Sequence, residues 1–115
     1  MIGAVDIGGT KIAVGLVNDD GRVLSSRRAP SGIDSTYEDA LASIKKMLRE
    51  VAAEADSRVT GIGIGSTGPI DPLTGEYGDL DHLPKWRGSN PVRDLSDFFG
   101  VSVAVENDAD AGALG

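Results

Sequence analysis

Apolar positions first alternate and then recur at helical spacing, in an order that predicts a mixed α/β domain. Ile2 to Ile7 is a short apolar strand with one acid, Asp6, inside it. Thr10 to Asn18 predicts a second strand, with Ile12, Val14 and Leu16 alternating with Lys11, Ala13 and Gly15. Asp19-Asp20-Gly21 is a turn signal, and Arg22 to Ala29 predicts a third strand closed by Pro30. Three strands joined by tight turns predict an antiparallel meander. Ser35-Thr36-Tyr37-Glu38 matches a capping box with Ser35 as the cap. In the helix that follows, Tyr37, Leu41, Ile44, Leu48, Val51 and Ala55 recur at alternating spacings of four and three, giving one apolar face. Asp39, Lys45, Lys46, Arg49 and Glu50 fall largely off that face and read as its solvated side. Val59 to Gly65 predicts a fourth strand. Ser66 to Asn90, with Pro69, Pro72 and Pro84, reads as a long loop, which is uncommon in a compact domain and often functional. Asn90-Pro91 opens a short helix, with Asn as cap and Pro at the first helical position, and Gly100 ends it. Val101 to Val105 predicts a fifth strand, and Asp108 to Gly115 the first turns of a further helix.

Composition narrows the class. The 115 residues suit one domain with a single core. A hydrophobic fraction of 40% and a charged fraction of 25% are ordinary for a globular chain. A net charge of -7 argues against nucleic acid or an anionic membrane as partner. Phosphate ligands remain compatible with it, because backbone N–H groups and a bound metal supply local positive potential. The absence of cysteine excludes a disulfide scaffold and a thiolate zinc site within these residues. No leader pattern or bilayer-length apolar run is seen, and cytoplasmic is the default reading.

The chemistry lies where the 16 glycines cluster, at strand ends. Asp6-Ile7-Gly8-Gly9-Thr10-Lys11 joins the first two strands. Adjacent glycines let a turn aim N–H groups at phosphate oxygens, Thr10 adds a hydroxyl and Lys11 a cation. Asp6 stands where it could hold Mg²⁺ through water. The bland alternative is a plain glycine hairpin. The turn is no Walker A loop, since Thr-Lys here enters a strand rather than a helix.

Gly63-Ile64-Gly65-Ser66-Thr67-Gly68 matches G-x-G-x-x-G, but a dinucleotide fingerprint must open a helix. Pro69 and Asp71-Pro72 argue against one. The segment reads instead as a backbone loop approaching a small ligand. Glu106-Asn107-Asp108-Ala109-Asp110 follows the fifth strand. From spacing alone two readings stand side by side: a helix cap, or an amide and a carboxylate that grip and deprotonate a sugar hydroxyl. His82, the single histidine, lies in the long loop beside Asp81, where a lone histidine is more often exposed than a ligand. Trp86 either stacks on a sugar face or anchors the loop.

Taken together, DIGGTKI, GIGIGSTGPIDP and VENDADAGALG resemble, in order and spacing, three motifs of the ROK family of sugar kinases and sugar-responsive repressors. The resemblance covers essentially the whole chain. It implies an actin-like, ribonuclease-H-like α/β domain, residues 1–115 being the N-terminal phosphate- and sugar-binding domain of a two-domain kinase. It implies that Asp108 is the catalytic base, and that Asn107, Gly68, Asp81 and His82 meet the sugar. It places Asp6, Gly8, Gly9, Thr10 and Lys11 at the phosphates of ATP and Mg²⁺. Zinc would belong only to the C-terminal domain, which these residues lack, and the full-length protein would be a homodimer. Asp110 replaces a usual Asn, a small departure; two others concern the sugar, His82 replacing an Asn common in glucokinase-like members and Ser66-Thr67-Gly68 a common Pro-Gly. The chain alone is expected to be inactive. The alternatives are the sugar-sensing domain of a ROK repressor and a non-catalytic actin-like assembly domain. Met1 directly before the first strand, and Asp6, Lys11 and Asp108 in place, favour the enzyme.

Overall fold

A computed structural model describes residues 1–8, 10–30, 36–66, 70, 73–78, 86 and 88–105. Its frame is a five-stranded sheet built from β1 (Ile2–Ile7), β2 (Lys11–Val17), β3 (Val23–Pro30), β4 (Gly61–Ser66) and β5 (Ser102–Val105), in the order β3-β2-β1-β4-β5. β1 pairs antiparallel with β2, and β2 antiparallel with β3. On its other side β1 pairs parallel with β4, and β4 parallel with β5. Two helices, α1 (Tyr37–Glu54) and α2 (Pro91–Phe99), supply the crossovers that parallel strands require.

Register sorts the side chains onto two unlike faces. Val5 is opposite Val14 and Ile64, and Ile7 is opposite Ile12. These residues, with Leu16 and Ile62, form one apolar face, and all are buried. The core closes when α1 lays Ala40, Ile44, Met47, Leu48 and Val51 on this face, joined by Leu95 of α2. Gly3 is needed for that contact, because a Cβ there would come within 2.7 Å of Leu48 Cδ2. The opposite face carries Ala4, Asp6, Ala13, Gly15, Gly61, Gly63, Gly65 and Ala104, nearly all small. Alternation is thus kept, but between large and small rather than between apolar and polar, and β2 is buried on both sides.

The caps follow the sequence in one helix and depart from it in the other. Asn90 caps α2 by accepting from the Arg93 N–H at 2.9 Å, Pro91 opens the helix, and Gly100 ends it in the left-handed conformation. In α1 the cap is Thr36 rather than Ser35, accepting from the Asp39 N–H at 3.2 Å. Both hydroxyls are competent caps, and the register is set by Tyr37, which is buried as the first helical residue. Ser35 itself lies outside the described residues. At the far end, the Asp56 N–H donates to Ala53 O and the Ser57 N–H to Ala52 O. That is a Schellman closure with Asp56 at φ 49 where glycine is usual.

The described residues after β4 make contacts that a plain loop would not. Ile70 and Tyr77 form an isolated antiparallel bridge. The Tyr77 N–H donates to Ser89 O at 2.8 Å, and the Gly88 N–H donates to Tyr77 O at 2.9 Å. Trp86 is fully buried, with its indole edge-to-face to both Tyr37 and Tyr77 at 5.7 Å. Of the two readings of this tryptophan, the anchor holds.

Candidate functional site

Three parallel neighbours, β1, β4 and β5, end along one edge of the sheet. Ile7 is level with Ser66, and Ile64 with Val105. The Asp6–Lys11 turn leaves from the first strand end and the 66–69 segment from the second. Residues 106–108 follow directly on the third. Ligands of open α/β sheets bind outside the carboxyl ends of such strands.

Within the first turn the Gly8 N–H donates to Lys11 O at 2.9 Å. That donor therefore closes the hairpin. A Cβ on Gly8 would lie 3.1 Å from the same carbonyl, so glycine lets the two strands meet this tightly. Thr10 and Lys11 are both exposed at the tip. Ile7 and Ile12 pair on the helix-covered face, so Asp6 and Lys11 project together from the opposite face. Asp6 is half-buried there, with Ala13 and Gly65 as its cross-strand neighbours. No group of three or more acids and histidines able to hold a metal occurs among the described residues. A single carboxylate is a donor that would suit a magnesium ion bound through water.

The G-x-G-x-x-G match is settled by its surroundings. Gly63 and Gly65 lie inside the extended strand β4, and among the described residues the next α-helix is α2, from Pro91. A dinucleotide fingerprint is excluded. At the strand end the Ser66 hydroxyl lies 2.6 Å from the Tyr77 hydroxyl. Burial pushes the Tyr77 phenol up to about 12, with the Ser66 hydrogen bond acting the other way, so it stays protonated at neutral pH. Sequence reasoning did not single out Tyr77; the only available signal was a second tyrosine in a chain with 4% aromatic residues. Gly9, Gly68, Asp81, His82, Asn107 and Asp108 lie outside the described residues, as does the expected helix start over 108–115.

No helix among the described residues is long and apolar enough to cross a membrane. The ROK family model matches residues 2–115. A glucokinase of Thermotoga maritima is 33% identical over 111 residues, covering 96% of this chain and 34% of that enzyme. The chain thus spans about a third of the length of the relatives it matches. Among solved structures, a ROK family glucokinase from Streptomyces griseus in complex with glucose and AMPPNP superposes with a TM-score of 0.77 at 31% identity, covering 91% of this chain and 32% of that one. The ROK hexokinase of Thermus thermophilus superposes with a TM-score of 0.79 at 30% identity, over 94% and 35%. The sheet and its helices are the actin-like fold of these sugar kinases. A family match from Ile2 to the last residue, carried on that fold, places the chain in the ROK family.

Proposed function

We propose that the chain is the N-terminal phosphate- and sugar-binding domain of a two-domain kinase that uses ATP to phosphorylate a hexose or N-acetylhexosamine. The observation that carries this reading is the shared sheet edge. It brings the ends of β1, β4 and β5, and with them parts of three separate motifs, side by side. The relatives named above add support, being glucokinases and a hexokinase.

In this reading Asp108, three residues past Val105, takes the proton from the attacking sugar hydroxyl. The sugar oxygen bonds to the γ-phosphorus, the bond from that phosphorus to the β–γ bridging oxygen breaks, and ADP leaves. Asn107 hydrogen-bonds the sugar and holds the hydroxyl in line. Gly68, Asp81 and His82 line the sugar pocket. Gly8 and Gly9 bring the backbone close to the phosphates, while Thr10 and Lys11 contribute a hydroxyl and a cation. Asp6 would hold magnesium through water, and the ion would neutralise phosphate charge when bound. The full-length protein is read as a cytoplasmic homodimer with neither nucleic acid nor membrane as partner. The present residues form one wall of the cleft and have no turnover alone.

The test is an assay of the full-length protein with ATP against glucose, N-acetylglucosamine, N-acetylmannosamine and fructose. At least one is phosphorylated, and Asp108→Asn lowers kcat about a hundredfold or more while sugar KM changes little. Normal turnover in Asp108→Asn would sink the assignment of the base. Gly9→Val weakens nucleotide binding, and unchanged affinity would remove the turn from the phosphate site.

A further inference from the structure

We infer that Tyr77 is a positioning residue for the sugar side of the proposed site, acting through its hydrogen bond to Ser66 at the end of β4. The inference rests on the kinase reading above and adds to it a residue outside the three motifs.

Ser66 is the last residue of β4 and is level with Ile7, so its side chain points to the helix-covered face. Ile62 and Ile64 precede it on that face, and both are buried. A hydroxyl at the end of such a row meets a phenol 2.6 Å away whose own side chain is 1% exposed. An apolar pair of the same shape would pack as well here, and burying two hydroxyls adds nothing to stability unless they meet. What the hydroxyl pair provides beyond packing is direction, since a hydrogen bond weakens steeply off its axis.

The phenol is itself held from several sides. The Tyr77 backbone donates to Ser89 and accepts from Gly88, both immediately before α2. Its ring packs in a T-shaped pair with Trp86, and Trp86 in turn forms one with Tyr37 of α1. Tyr77 thus fixes Ser66 to the helix layer, two residues before Gly68. It also opens the span to Trp86 that contains Asp81 and His82. One phenol therefore stands at the root of both sugar-side segments. The phosphate turn is separate from it, because Asp6 and Lys11 project from the other face of the sheet. Loss of the Tyr77 hydroxyl should weaken sugar binding and spare ATP.

The test uses the full-length protein and the best sugar found in the assay above. Tyr77→Phe and Ser66→Ala each raise sugar KM about tenfold, with ATP KM and kcat held within about twofold. The double variant is no worse than either single, because both changes remove the same bond. Ser66→Thr, which keeps the hydroxyl, retains the parent sugar KM. Unchanged sugar KM in both single variants overturns the inference, as do additive losses in the double variant. A parallel rise in sugar and ATP KM with a lowered melting temperature also overturns it, because it marks a purely structural role. If the parent protein phosphorylates none of the sugars, the kinase reading falls and takes this inference with it. Parental turnover with insensitive variants removes the inference alone.

Discussion

The Tyr37 hydroxyl donates to Asp94 Oδ2 at 2.6 Å, tying the first residue of α1 to the first turn of α2. Burial, and then the hydrogen bond and charge of Asp94, push the Tyr37 phenol far above its usual value near 10. The folded chain therefore keeps a proton that the unfolded chain releases above about pH 10. The associated stability is fully present below that pH and is lost as pH rises beyond it. Urea unfolding at about pH 8 and about pH 11 should show a marked loss for the parent and a smaller one for Tyr37→Phe. The Tyr77 phenol, up to about 12, adds to the same trend. Tyrosinate absorbance should accordingly stay low near pH 10 and rise with unfolding.

Trp86 is the chain's single tryptophan and is fully buried between two tyrosines. Trp86→Ala should cost about 3–5 kcal/mol, the usual range for emptying such a site. Trp86→Phe should cost less, keeping an edge-to-face partner for Tyr37 and Tyr77. Chemical denaturation followed by far-UV circular dichroism reads both, since the variants remove the native fluorophore.

Gly75 and Gly88 separate two reasons for a glycine. Both have positive φ, of 78 and 81. A Cβ at Gly75 would lie 2.4 Å from Val92 Cβ, whereas one at Gly88 meets nothing within 4 Å. Gly88→Ala should therefore cost about 1–2 kcal/mol for backbone conformation alone. Gly75→Ala adds a clash with α2 and should cost about 2–4 kcal/mol in total. Equal costs from parallel denaturation curves would contradict the contact with Val92.

Asp56 holds the left-handed position after α1 at φ 49. Asp56→Gly keeps the two closing hydrogen bonds and relieves the side chain of that conformation. It should stabilise the fold by about 0.5–1 kcal/mol, visible as a higher urea midpoint at unchanged slope.

Much of the framework was legible because local signals agree with the tertiary outcome. Asn90-Pro91 and Gly100 mark α2 to the residue, and the turn signals after Asn18 and the Gly8-Gly9 pair separate β1, β2 and β3. The cap of α1 was misplaced because Ser35 and Thr36 offer the same chemistry, and only the burial of Tyr37 selects between them. The contacts of the described residues between 66 and 90 could not be read from the sequence. They join Tyr77 to Ser66, Ser89 and Trp86, and Trp86 to Tyr37, pairs that no local period connects. At the site, glycine spacing pointed to the turn, but only strand register shows Asp6 and Lys11 sharing a face.

The position of β1 shapes how the chain reaches this state. The first of the five strands in chain order becomes the middle of the sheet, and its parallel edge is completed only by β4. The same separation recurs at the terminus, where the Thr60 N–H donates to Met1 O at 2.8 Å. Until β4 docks, a hairpin of β1 and β2 presents an unpaired apolar strand. Closing so long a loop makes docking of β4 the expected slow step of folding, and the interval before it the one most exposed to aggregation.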